Sequence, residues 1–245
     1  MCQALAGEPT RAPRGQLDPK GRIHIPIGIA NTVDTLKTFV EAEGNFSPGF
    51  GSYGLYFWIY DHESKKLVAP TQDGVQSRHG LGEKGFLIPW SRWSAGEIEV
   101  STELCHVTRS SPQGDVHVVG VRAIMGNLSE RARKFSLYVA LRPLGAAGWH
   151  VKELAVSEDG NALLVDGHPA LVATLPPSAS GVVETDMIGE LIAKQNFPGA
   201  KTAKSESGDC SGALRFDVEL DASTVTQYEF AKDGNPWLRN TKVKM

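Results

Sequence analysis

Between Glu97 and Thr174 the chain repeats one pattern: apolar residues at every second position, in short runs separated by tight polar connectors. Glu97 to Val107, Val116 to Met125, Lys134 to Leu144 and Val151 to Ser157 each read as a strand, with RSSPQGD, GNLSERA and GAAG between them. A period of two sends alternate side chains to opposite faces of a pleated strand, so each run has one apolar face to bury. Glu158-Asp159-Gly160 then turns into Ala162 to Asp166, and Gly167 and His168 lead into Pro169 to Thr174. That spacing is a meander of hairpins.

The rest of the chain extends the pattern. Arg22 to Asn31 alternates but contains Pro26, which suits an edge strand because proline cannot donate to a ladder. Thr35 to Glu43 fits either a strand or a short helix, and Leu55 to Tyr60 (LYFWIY) is a strand turned by Asp61 to Lys66. Gln72 to Gly85 is polar and glycine-rich and reads as a surface excursion before Phe86 to Trp93. Asp186 to Gln195 is the best helix, with Met187, Ile188, Leu191 and Ile192 available to one face. Ala213 to Leu220 and Thr224 to Phe230 alternate strictly and form two last strands. The 26 glycines and 14 prolines fall mostly between apolar runs, as turns require. The expected fold is all-β: a large two-sheet antiparallel β-sandwich (a supersandwich) of about ten to fourteen strands with one or two short helices. Residues 1–21 are expected to be a flexible N-terminal arm, 22–232 the sandwich, and 233–245 a C-terminal tail.

Charge and cysteines exclude several classes. A net charge of −3 offers nothing to a phosphate backbone, so no nucleic-acid partner is expected. No stretch approaches the ~18 apolar residues of a membrane span, and MCQALAGEPTRAPRG lacks the basic and apolar regions of a signal peptide. The expectation is therefore a cytoplasmic protein with no membrane partner. Cys2, Cys105 and Cys210 are far apart and show no metal-ligand spacing, so neither a zinc site nor another cofactor is expected. Cys105 is expected to act as a small core residue, and a Cys105–Cys210 disulfide stays conceivable. No nucleophile elbow, phosphate loop or HExxH motif occurs. Asn45-Phe-Ser and Asn127-Leu-Ser match the glycosylation acceptor pattern, which matters only on a secretory route.

Ligand-binding candidates come from aromatic and basic residues. In PWSRW, Trp90 and Trp93 are three apart and so face opposite ways on an extended strand, and Arg92 lies between them. An indole stacks on the C–H face of a sugar ring, and a guanidinium donates paired hydrogen bonds to hydroxyls or carboxylates. Tyr56, Trp58 and Tyr60 share a second face, with Phe57 opposite; either sheet packing or a ligand platform accounts for them. His106 and His117 become neighbours if their strands form a hairpin, and two imidazoles could orient a sugar or exchange protons with it. Glu97, Glu99, Glu103, Asp115 and Glu153 lie on or beside strands, but nothing marks a pair flanking a glycosidic bond. Glu97 and Glu99 share a strand face, which fits a wet surface. No residue is assigned a catalytic role.

The segment Ser110 to Ala155 adds a family likeness. Ser111-Pro112 with Gly114-Asp115-Val116, then Asn127, then SLYVALRPLGAAG resembles the N-terminal supersandwich region of some bacterial six-hairpin glycoside hydrolases; WSRW and IEVSTEL precede it in the same layout. The likeness covers Phe86 to Ala173. It implies a galactose-mutarotase-like sandwich beside an (α/α)6 barrel that carries the catalytic carboxylates, and no such run of helical hairpins follows here. The expectation is a non-catalytic, carbohydrate-associated domain that packs on a barrel domain or subunit or binds a saccharide. The alternatives are a self-contained aldose-epimerase-like enzyme and a structural module without a small ligand.

Overall fold

The computed structural model describes residues 17–20, 24–28, 37–82, 88–111, 114–146, 150–231 and 243–244. Its first strands are β1 (His24–Ile27), β2 (Thr38–Glu41), β3 (Phe46–Ser47), β4 (Gly54–Asp61), β5 (Lys66–Val68) and β6 (Gln76–Leu81). The middle of the chain forms β7 (Pro89–Ala95), β8 (Ile98–Ser111), β9 (Gly114–Asn127), β10 (Arg133–Arg142), β11 (Glu153–Val156), β12 (Ala162–Val165) and β13 (His168–Ala173). After β14 (Ala179–Val183) comes the one described helix, α1 (Ile188–Ala193), and then β15 (Thr202–Lys204), β16 (Ser211–Leu220), β17 (Thr224–Ala231) and β18 (Val243–Lys244).

The strands make two antiparallel sheets. One has eight strands in the order β1-β2-β3-β4-β10-β16-β14, with β5 also on β4. The other has ten, in the order β15-β11-β12-β13-β17-β9-β8-β7-β6, with β18 also on β17. The chain is thus a large two-sheet β-sandwich. Its main core lies between the sheets, where Phe57, Leu137 and Val139 meet Trp93, Val100, Leu104, Met125 and Phe230.

Strand β4 shows how one run serves two layers. All eight residues of GLYFWIYD are buried. Phe57 and Ile59 point into the main core, while Tyr56, Trp58 and Tyr60 point the other way into a second cluster with Tyr138, Ile188 and Ile192. Helix α1 and Leu17 close that second cluster, so the aromatic run is covered on both faces. The alternation expected of Tyr56, Phe57, Trp58 and Tyr60 holds, and its outer side is packing.

Several local expectations hold for identifiable reasons. Pro26 sits on the edge strand β1, opposite Phe39. Asp166 and Gly167 have φ of 50° and 77°, the two left-handed residues that a type I′ hairpin between β12 and β13 needs. The segment Thr38–Glu41 settles as a strand, and the helix is shorter than the expected Asp186 to Gln195 at both ends. Three expectations need correction. Gln76–Leu81, expected to be an irregular excursion, is a paired edge strand against β7. Cys105 lies on the outer face of the second sheet, because the buried Val100, Thr102 and Leu104 fix the inward phase of β8. Cys105 and Cys210 are both free. Of the expected N-terminal arm, Leu17 and Asp18 are held against the sandwich by Arg142; residues 1–16 and 21 lie outside the described set, as do 233–242 and 245 of the expected tail.

Candidate functional site

The edge formed by β6, β7 and β8 positions the site. Residues paired directly across antiparallel strands project from the same face. Arg78 pairs with Arg92 and Gly80 with Trp90; on the next strand Arg92 pairs with Ser101 and Trp90 with Glu103. These residues face outward, since Trp93 pairs with the fully buried Val100 and points into the core. Arg78, Trp90, Arg92, Ser101 and Glu103 line a concavity of about 310 Å³. That is the lower end of the size range of small-molecule sites.

Trp90 is fixed by its surroundings. Its Nε1–H donates to the Leu81 carbonyl oxygen at 3.2 Å. The six-membered part of the indole lies over Gly80, where a Cβ would come within 2.8 Å of a ring carbon. An aromatic ring over a glycine directly opposite it is a recurrent way to stabilise an edge strand. Here it also fixes an indole that lines the concavity.

The charges around the indole are mostly paired. Arg122, opposite both Glu103 and Glu229, approaches their carboxylates at 3.6 and 3.5 Å. Arg92 Nε lies 3.7 Å from Glu99 Oε1. Among the described residues Arg78 has no acidic partner, although it sits directly opposite a second guanidinium. Beside this group burial pushes the Cys105 thiol pKa up, against a smaller opposing effect of Arg122.

The structure therefore brings together three of the residues singled out in the sequence, Trp90, Arg92 and Glu103, and separates the others. Trp93 is 2% exposed and belongs to the core. Tyr56 and Trp58 are buried beneath Arg142, whose guanidinium lies 5.2 and 5.7 Å from their ring centroids. The Tyr56 hydroxyl donates to the Leu144 carbonyl oxygen, and burial raises its pKa. These three aromatics hold the sheets and their cover together and present no ring to a ligand. β8 and β9 do form a hairpin, in which His106 pairs with Val119 and His117 with Thr108. That places the two histidines two residue pairs apart, away from the concavity. The side chains of His117 and Asp115 lie outside the described set.

The acids also sort themselves. Glu97 belongs to the turn before β8, where it meets Arg133 at 2.9 Å, so the expectation that it shares a strand face with Glu99 is corrected. Glu153 pairs with Lys204 at 3.1 Å. Among the described residues no three His, Cys, Asp or Glu side chains are grouped to hold a metal ion. Sequence reasoning missed Arg78 and Ser101. The signal that would have found Arg78 is the antiparallel pairing of Arg-His-Gly-Leu with Pro-Trp-Ser-Arg, legible only once Gln76–Leu81 is recognised as a strand. No protein-family model matches the chain, and no curated protein is similar to it.

Proposed function

We propose that this chain is a non-catalytic, carbohydrate-associated β-sandwich domain of glycoside-hydrolase type, and that it contacts saccharide through the outer face of β6, β7 and β8. The observation that carries the reading is the fixed Trp90 indole lining a polar concavity with Arg78, Arg92, Ser101 and Glu103. An indole of this kind stacks on the apolar face of a pyranose, while guanidinium donors and carboxylate or hydroxyl acceptors at the ring edge satisfy the sugar hydroxyls. The same combination, one flat apolar surface with a few convergent polar groups, defines small-ligand sites in general. The likeness of Ser110 to Ala155 to the sandwich region of six-hairpin glycoside hydrolases supports the same class of ligand, and calls for an (α/α)6 barrel domain or subunit as catalytic partner.

The test is direct. Neutral and acidic oligosaccharides are titrated against the full chain, and the best binder is repeated with Trp90→Ala. Saturable binding that weakens about tenfold or more in the variant is expected from the loss of a stacked aromatic. Trp90 is only half-buried, so an unchanged far-ultraviolet circular dichroism spectrum checks that the fold survives. No saturable binding to any oligosaccharide, or binding indifferent to Trp90→Ala, overturns the reading.

A further inference from the structure

The two arginines of the concavity specify more than a sugar. Arg78 and Arg92 are direct cross-strand partners on an antiparallel pair. Like charges in that position repel, which natural sheets relieve by placing an acid between or opposite them. Arg92 has a distant one in Glu99, at 3.7 Å; Arg78 has none among the described residues. Glu103, the other charged residue of the concavity, is drawn toward Arg122 on the far side, 3.6 Å away. The concavity is thus polarised. Two guanidiniums stand on β6 and β7, and the acceptors Ser101 and Glu103 stand on β8, one or two strand spacings away (roughly 5–10 Å).

Resting on the saccharide reading above, we infer that the ligand is an acidic saccharide, a hexuronate oligomer whose ring stacks on Trp90 while its carboxylate bridges Arg78 and Arg92. A planar carboxylate accepts two parallel N–H donors from one guanidinium and keeps an outer lone pair on each oxygen for the other, so one such group offsets the charge of Arg78, which has no acidic partner among the described residues, and lessens the repulsion between the two. A neutral hexose offers hydroxyls alone and leaves both charges as they are. Ser101 and Glu103 then accept hydrogen bonds from hydroxyls on the opposite side of the ring.

The experiment compares oligomers of galacturonate, glucuronate and mannuronate, each with its carboxyl-reduced, neutral counterpart. Binding to the full chain is measured by titration calorimetry alongside Arg78→Gln, Arg92→Gln and Trp90→Ala. Arg78 and Arg92 are exposed, so the glutamine variants test the site without disturbing the core. The expected result is a hexuronate oligomer that binds at least tenfold more tightly than its reduced form, and loses at least tenfold in either arginine variant, as removal of a charge-assisted contact requires. The reduced form is expected to be indifferent to Arg78→Gln. If charged and reduced oligomers bind equally and both depend on Trp90, the acidic class is overturned while the saccharide reading stands. Hexuronate binding that ignores both arginine variants overturns the site. Failure of every oligomer, charged and neutral, overturns both.

Discussion

Asn127, at the end of β9, shows how much a single buried amide can carry. Its side-chain nitrogen lies 2.7, 3.1 and 3.0 Å from the carbonyl oxygens of Arg131, Leu220 and Asp221. Its Oδ1 accepts the Ser129 N–H at 3.1 Å and the Ser129 hydroxyl at 2.7 Å. Leu220 ends β16 of the other sheet, so one residue ties the two sheets at a corner. The residue is 0% exposed, and the Asn127-Leu-Ser acceptor pattern is here a turn that holds its own asparagine. Asn127→Ala removes every one of these bonds and strands buried carbonyls, each costing about 1–3 kcal/mol when left unpaired. A loss of about 3 kcal/mol or more by urea unfolding is expected; a loss under about 1 kcal/mol would show that water replaces the amide. Nothing in the sequence distinguishes this asparagine from a turn residue, because the partners that set it apart are two main-chain oxygens at and just after the end of β16, nearly a hundred residues on.

At the scale of elements, α1 is too short to hold itself in place and depends on what lies beside it. A helix of six residues gains little from its own hydrogen bonds. It is fixed by Ile188 and Ile192 on the second cluster and by Asp186 just before it. Asp186 receives both Nε and Nη2 of Arg142, at 2.8 and 3.0 Å, and the same guanidinium holds the Leu17 carbonyl and the Asp18 carboxylate. Arg142→Leu takes both charge-assisted bonds from the buried Asp186 and is expected to cost about 3–5 kcal/mol; the double variant with Asp186→Leu recovers part of that loss, because the buried carboxylate is gone while the Leu17 carbonyl and the Asp18 carboxylate still lack the guanidinium. Additive losses in this cycle, measured by chemical unfolding, would show that the two residues act separately. The same scale separates what was legible in the sequence from what was not. Strands buried on one face, such as β8 and β17, announce themselves by alternation, and Trp90 and Trp93 fell on opposite faces as their spacing required. Edge strand β6 is exposed along nearly its whole length, so no apolar phase exists to be read, and with it Arg78 was hidden. Cys105 was assigned to the core because a cysteine within an alternating run carries no mark of its face.

The sandwich as a whole is closed partly by charge, and this makes its stability depend on pH in two opposite ways. Arg133, on β10, meets Asp61 of β4 at 2.7 Å and Glu97 of the turn between β7 and β8 at 2.9 Å, so its guanidinium joins the first sheet to a loop of the second. Burial alone would raise the Asp61 pKa, but hydrogen bonds from Ser64 and the Glu63 N–H, together with Arg133, outweigh it and hold the carboxyl below its ordinary range. A carboxyl whose pKa is lower folded than unfolded stabilises fully above the unfolded value of about 4, and that contribution fades as the pH falls through the folded value. Glu41 on β2 has the opposite sign. Burial raises its pKa against weaker help from Asn45 and His24, and its Oε2 accepts no hydrogen bond among the described residues. Its ionised form therefore weakens the fold near neutrality, and the penalty vanishes once the pH drops below the ordinary carboxylate range. Asp61→Asn is expected to lose about 1–3 kcal/mol at pH 7, whereas Glu41→Gln gains about 1 kcal/mol, because a neutral amide takes the place of a buried charge. In thermal unfolding from pH 7 down to pH 3, both variants should converge on the wild type from opposite sides, Asp61→Asn from below and Glu41→Gln from above. Parallel curves across that range would mean that neither carboxyl titrates differently in the folded chain, and that the contact between Arg133 and Asp61 closes the sandwich by shape and not by charge.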